Sequence, residues 1–245
     1  MKKALYGLKQ APRAWYIKID RYLDEQGFQR SPLDSNMYVK RVGNNIIILV
    51  IYVDDIIITG SEASAITQIK SNMSKAFDMT DLGLLHYRLG IEVWQTGNNI
   101  FVSRTKYAKS LLDKFRMTNC KILSTPIEKG LKLSAKSNSK AINEFVYRKL
   151  VGNLIYLTTT SVDLSFAVSF ISRFMSAPKV EHLTTMKRVL RYAKGTLDFG
   201  ILYIRSKDSR LSGYTVSDWV GFTDDRKSTY GFVFSLGIGA ITWTN

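Results

Sequence analysis

The chain has 245 residues, 45% of them apolar and 12% aromatic, and carries a formal charge of +15 from 35 Lys and Arg against 20 Asp and Glu. That apolar content supports one large core or two to three smaller ones and argues against disorder. The longest apolar run, Ile46 to Val53, falls far short of the roughly 20 residues that cross a bilayer, no leader pattern follows Met1, and a lone Cys120 with two distant histidines, His86 and His182, offers neither an internal disulfide nor a zinc motif. The expectation is an intracellular protein of a reducing compartment, in a cytoplasmic particle or the nucleus, neither secreted nor bound to membrane.

Taken in chain order, Trp15, Ile19, Tyr22 and Leu23 recur at helical spacing and predict a helix over 15–28 closed by Gly27. Met37–Arg41 reads as a short strand and Val42-Gly43-Asn44-Asn45 as a turn. Ile46–Val53 reads as a buried β-branched strand, resumed at Ile56-Ile57-Ile58-Thr59 after Asp54-Asp55, which predicts a hairpin whose tight turn carries both acids. A helix follows to about Phe77, with Ile66, Ile69, Met73 and Phe77 on one face. Tyr87–Val93 and Ile100–Ser103 flank Thr96-Gly97-Asn98-Asn99 as a second hairpin. Tyr107, Leu111, Leu112 and Phe115 then mark a basic helix. The polar stretch 117–142 has linker composition. Helices are predicted at about 144–159, 163–176 and 180–194, and strands at Gly200–Ile204, Leu211–Val216, Thr229–Leu236 and Gly239–Thr242.

Charge is uneven along this order. Residues 1–95 hold 12 basic and 10 acidic side chains, about +2, whereas 96–245 hold 23 and 10, about +13. Such a surplus suits a polyanionic partner, since each neutralised phosphate releases condensed counterions; it would also serve solubility alone.

The residues that point to chemistry are Tyr52-Val53-Asp54-Asp55. Adjacent carboxylates between two hydrophobic strands repel each other, and partial burial raises the cost unless a cation faces them. Magnesium, which takes oxygen ligands and pairs one or two carboxylates with substrate phosphates, fits that need. In two-metal sites one ion activates the attacking oxygen and the other steadies the leaving group, as in nucleotidyl transfer. A simple polar turn would show the same dipeptide, and composition leaves both readings open.

Several segments then resemble one family in the right order. Ala4-Leu5-Tyr6-Gly7-Leu8-Lys9-Gln10-Ala11-Pro12-Arg13-Ala14-Trp15, Tyr52-Val53-Asp54-Asp55 and Tyr87-Arg88-Leu89-Gly90-Ile91-Glu92 are similar to the template-side motif, the catalytic box and the primer grip of copia-type LTR-retrotransposon reverse transcriptases. Tyr147–Leu157 and Val189–Thr196 resemble the thumb and connecting segments, and Gly213-Tyr214, Asp218-Trp219, Val220-Gly221 and Asp225–Gly231 the opening of the family's RNase H domain.

The resemblance implies an α+β fold: a partial palm over 1–95, with an antiparallel sheet and helices on one face, a thumb over 96–160, a connection over 161–205 and the first piece of an RNase H-like domain over 206–245. It implies Asp54 and Asp55 as catalytic magnesium ligands, with Tyr52 and Val53 beneath the primer terminus. Tyr6, Gly7 and Gln10 would line the nucleotide and template side; Lys9 and Arg13 would touch phosphates there, or are solvated helix-end charges; and Trp15 is read as core. Leu89, Gly90 and Ile91 would form the primer grip, and Lys187, Arg188, Arg191 and Lys194 would contact nucleic-acid phosphates. The implied partners are an RNA template, a DNA primer and deoxynucleotides, with Mg2+ as cofactor.

The family's third catalytic carboxylate precedes the Tyr-Gly-Leu-Lys-Gln segment, so polymerase activity from this chain alone is not expected, and a passive basic nucleic-acid-binding remnant is the alternative. Val216 stands where an RNase H aspartate is usual, which argues against RNase H activity as well. Ser161-Val162-Asp163 stands where Arg-Pro-Asp is usual, and Arg104 where Gln is.

Overall fold

A computed structural model describes residues 7–206, 210–217, 224 and 228–244. The fold mixes helices with antiparallel sheets and divides into two compact units, Met1–Leu85 and His86–Asn245. Among the described residues no helix is long and apolar enough to cross a membrane.

In the first unit α1 (Ala11–Glu25) begins four residues earlier than its apolar spacing predicts. Pro12 sits in the opening turn, where a missing N–H is harmless. The helix closes with Gly27 at φ 80°, the Gly27 N–H donating to Asp24 O and the Phe28 N–H to Leu23 O, a Schellman closure. Strands β1 (Gln29–Arg30), β2 (Met37–Val42), β3 (Asn45–Tyr52) and β4 (Asp55–Gly60) form one sheet in that order. Along β3 the residues Ile47, Leu49 and Ile51 are buried while Ile48, Val50 and Tyr52 are not, so the period of two faces one side to a core. Ile19 and Leu23 of α1, and Met73 of α2 (Ala63–Ala76), close that core together with Phe77. Tyr38 buries its ring there and donates its hydroxyl to Asp20 at 2.7 Å.

The second unit opens with β5 (Tyr87–Arg88), β6 (Ile91–Gln95) and β7 (Asn99–Ser103). Helices α3 (Thr105–Lys114), α4 (Glu144–Leu157), α5 (Ser165–Ser172) and α6 (Val180–Gly195) share one hydrophobic core, and a 3-10 turn, Val162–Leu164, leads into α5. Then β8 (Ile201–Ile204) returns to pair with β7, giving the order β5-β6-β7-β8. Strands β9 (Leu211–Ser217), β10 (Tyr230–Leu236) and β11 (Gly239–Thr244) form a third antiparallel sheet.

Two expectations are corrected. Tyr87–Val93 is not one strand, because Leu89 and Gly90 adopt φ 45° and 72° and turn the chain back on itself. The stretch 117–142 is not a linker. It lacks regular structure, yet Leu133 is buried, and Met117, Ile127, Leu131 and Ile142 pack on the helical core. Its backbone and side chains are also tied to α6: Lys194 donates to Cys120 O at 2.6 Å, and Arg188 to Glu128 at 2.8 Å and Thr125 at 2.9 Å. Apolar residues spaced without period still pack when neighbours satisfy the intervening polar groups.

His182, fully buried in the first turn of α6, stacks on Phe174 with ring centroids 3.8 Å apart and accepts the Lys179 N–H at Nδ1. Burial holds its imidazole below the ordinary 6.5, against the pull of Glu181 and Asp224, with Lys179 acting in the same direction as burial. As pH falls through that ordinary value the unfolded chain takes up a proton that the folded chain refuses, so stability is intact above it and is lost progressively below. Urea unfolding of the wild type at pH 7.5 and 5.5 should show that loss, and His182→Gln should reduce it; an equal loss in the variant would exclude the histidine as its source. Gly200→Ala should destabilise the second unit by about 2 kcal/mol in the same assay, since an added Cβ would lie 2.4 Å from Val102 O and 2.6 Å from the Phe101 ring. An unchanged midpoint would contradict this.

Candidate functional site

Strand β3 pairs with β4 through Tyr52↔Asp55, so the two central turn residues are Val53 and Asp54. The expected tip is thereby shifted by one residue: Asp54 sits in the turn and Asp55 opens β4. Val53 has φ 58° whereas Asp54 does not share a positive φ, the sign pattern of a type II′ turn. That first position favours glycine. A β-branched residue held in the left-handed region stores strain of order 1–3 kcal/mol, and such strain persists only where the surroundings over-determine the backbone.

An indole forms part of those surroundings. Trp15 of α1 donates Nε1–H to Val53 O at 2.8 Å, and its ring meets Phe77 edge-on at 5.4 Å. The reading of Trp15 as core therefore omits its polar contact, and no signal in the sequence marks a donor 38 residues from its acceptor. Trp15 follows Arg13 by two residues and Gln10 by five, so its bond ties the first two turns of α1 to the hairpin. Gly7 (φ 91°), Lys9, Gln10 and Arg13 are all exposed, and Tyr6 lies outside the described residues.

Asp54 and Asp55 are both exposed, as are Tyr52 at 51% and Val53 at 65%. Contrary to the expectation of partial burial, the acids bear no burial penalty, and only their mutual repulsion remains for a cation to relieve. What marks the pair is the strained, pinned backbone that carries it. By register Asp55 shares a sheet face with Tyr52, Val50 and Ile57, the face opposite the α1 and α2 core. Among the described residues no three His, Cys, Asp or Glu side chains are grouped so as to hold a metal.

A second strained turn lies in the other unit. Leu89 and Gly90 join β5 to β6 with both φ values positive, a type I′ pattern in which Leu is out of place. The Tyr156 hydroxyl of α4 donates to Leu89 O. On α6, Lys187 is exposed, whereas Arg188 and Lys194 make the bonds to the 117–142 segment given above. Arg191 is half-buried. On β9 Val216 is 69% exposed, and Asp218, Trp219, Val220, Gly221 and 225–227 lie outside the described residues.

The profile of the family described as reverse transcriptase (RNA-dependent DNA polymerase) matches residues 1–129. The chain is 40% identical over its whole length to a retrovirus-related Pol polyprotein from transposon RE1 of Arabidopsis thaliana, of which it spans 17%. It is 39% identical over 99% of its length to the corresponding polyprotein from transposon TNT 1-94 of Nicotiana tabacum, of which it spans 19%. An uncharacterized mitochondrial protein of Arabidopsis thaliana is 38% identical over 80% of this chain and 81% of its own length. No solved structure matches significantly. A profile covering more than half of the chain, together with similarity from end to end, makes it a member of the reverse transcriptase family, of the kind carried in retrotransposon Pol polyproteins.

Proposed function

We propose that residues 1–95 contribute the magnesium-holding turn of a copia-type reverse transcriptase palm, and that 96–160, 161–205 and 206–245 serve as thumb, connection and the first strands of an RNase H-like domain. The observation that carries this reading is the Tyr52–Asp55 hairpin, where two exposed carboxylates ride on a strained turn pinned by Trp15. A merely polar turn gains nothing from Val at a left-handed position, whereas a turn that must present two acids in a fixed pose does.

The donor set fits the cation. Two oxygen-only ligands on consecutive residues suit a hard ion that completes its shell with substrate phosphates and water. Magnesium held by Asp54 and Asp55 would offset charge on nucleotide phosphates and acidify the attacking hydroxyl. The chain's own residues do the positioning: Trp15 fixes the turn, Tyr52 and Val53 floor the primer end, and Gly7, Lys9, Gln10 and Arg13 at the opening of α1 take the nucleotide and template side. The basic surplus of 96–245 would draw in an RNA template and DNA primer, with exposed Lys187 the foremost phosphate contact on α6 and Arg188, Arg191 and Lys194 beside it. Since no third acid joins the pair among the described residues, this chain alone would bind metal weakly and would not extend a primer.

Mn2+ titration followed by electron paramagnetic resonance, with recessed RNA-DNA duplex and a deoxynucleotide present, should show a site that Asp54→Asn weakens about tenfold. Equal binding in wild type and variant would favour a passive nucleic-acid-binding protein, as would duplex binding indifferent to the metal. Primer extension with Mg2+ and all four deoxynucleotides should yield no Asp54-dependent product. Trp15→Phe keeps an aromatic side chain but removes the indole donor, worth about 1 kcal/mol, and should weaken the same Mn2+ site several-fold while the domain stays folded. Unaltered Mn2+ affinity would mean that the indole does not position the turn.

A further inference from the structure

The β5-β6 turn repeats the device found at the acidic hairpin. Leu89 is held at φ 45°, a conformation that costs a residue with a Cβ of order 1–2 kcal/mol, and its carbonyl accepts a hydrogen bond from the Tyr156 hydroxyl, 67 residues away. Tyr156 lies flush against the turn: a Cβ added at Gly90 would meet its hydroxyl at 3.4 Å and Cε1 at 3.5 Å. The Arg104 guanidinium covers a face of the ring, 3.8 Å from the centroid, and Tyr107 meets it edge-on at 4.9 Å. Arg104 also donates Nη1–H to Tyr156 O at 2.9 Å, which places its charge at the carbonyl end of α4, where a cation is favoured.

Arg104 is only 5% exposed, and its Nε has no hydrogen-bond partner. Burying a guanidinium with an unmet donor is costly. The ring contact and the helix-end contact offset that cost, and both act on Tyr156. Leu89 itself remains half-exposed at 49%. The turn is thus rigid behind and open in front, an arrangement suited to presenting backbone to a ligand.

We propose that Tyr156, braced by Arg104, is a positioning residue that fixes the Leu89-Gly90 turn against the 3′ end of a primer strand. The proposal rests on the reading of that turn as the primer grip, and the test separates the two. The 245-residue chain is titrated with a duplex whose recessed 3′ nucleotide is 2-aminopurine and with a blunt duplex of the same sequence. Hydrogen exchange is followed across Arg88–Ile91.

The wild type should prefer the recessed end and change the probe's fluorescence. Tyr156→Phe, which keeps the ring against Arg104, should accelerate exchange there about tenfold and cut the preference about fivefold, with the unfolding midpoint little moved. Arg104→Gln should shift both readouts in the same direction. Tyr107→Phe, which spares the bond to Leu89, should shift neither. A wild type without preference for the recessed end overturns the primer-grip reading and the proposal with it. Preference retained in Tyr156→Phe overturns the positioning role alone, whether exchange quickens, leaving a structural staple, or does not.

Discussion

The molecule turns on one kind of interaction, an aromatic side chain on a helix donating a hydrogen bond to the carbonyl of a turn residue that would otherwise avoid its backbone conformation. Trp15 does this for Val53, and Tyr156 for Leu89. In both cases the residue occupies the first position of a two-residue hairpin, where glycine or asparagine is the easy choice. A side chain with a Cβ there gives up about a kilocalorie or more and gains a turn with fewer alternatives. The bond comes from another element, so each turn is fixed relative to a helix instead of only to its own strands.

That arrangement explains why the two units are built as they are. In the first, the buried face of β3 packs α1 so that the indole reaches the end of the hairpin; the core of Ile19, Leu23, Leu49 and Ile51 is the platform from which Trp15 acts. In the second, α4 belongs to a core running from Ala108 to Ala193, and its last turn delivers both the Tyr156 hydroxyl and the carbonyl that Arg104 meets. Packing supplies the rigidity, and the polar bond aims it.

Much of this order was legible in the residues. Period-two burial along Ile46–Tyr52 and the helical spacing of Ile69 and Met73 appear where patterning placed them, because half-buried elements must repeat their apolar face; the strand runs near the end also form, although β9 is exposed along its whole length. Three features escaped. The Leu89-Gly90 reversal was hidden because Leu is not a turn residue, and the packed 117–142 segment because its apolar residues follow no period. The third was polar: Trp15 looked like core, and Arg104 was visible only as an unusual residue, since both act through atoms of partners far away in sequence. Arg188 and Lys194 make a related point, as counting lysines and arginines cannot tell which of them bond inward.

The return of β8 to β7 gives the second unit a topology with its own consequence. Val102 and Ile201 are paired neighbours, and Thr105 donates its hydroxyl to Leu197 O at 2.7 Å where the chain leaves and re-enters the sheet. The whole helical block is thus inserted between adjacent strands, with its entrance and exit stapled together. Closing so long a loop is entropically expensive until the helices have collapsed, so helix packing would precede sheet completion during folding. By the same geometry, the block could accept lengthened or altered helical loops without disturbing the strands that frame it.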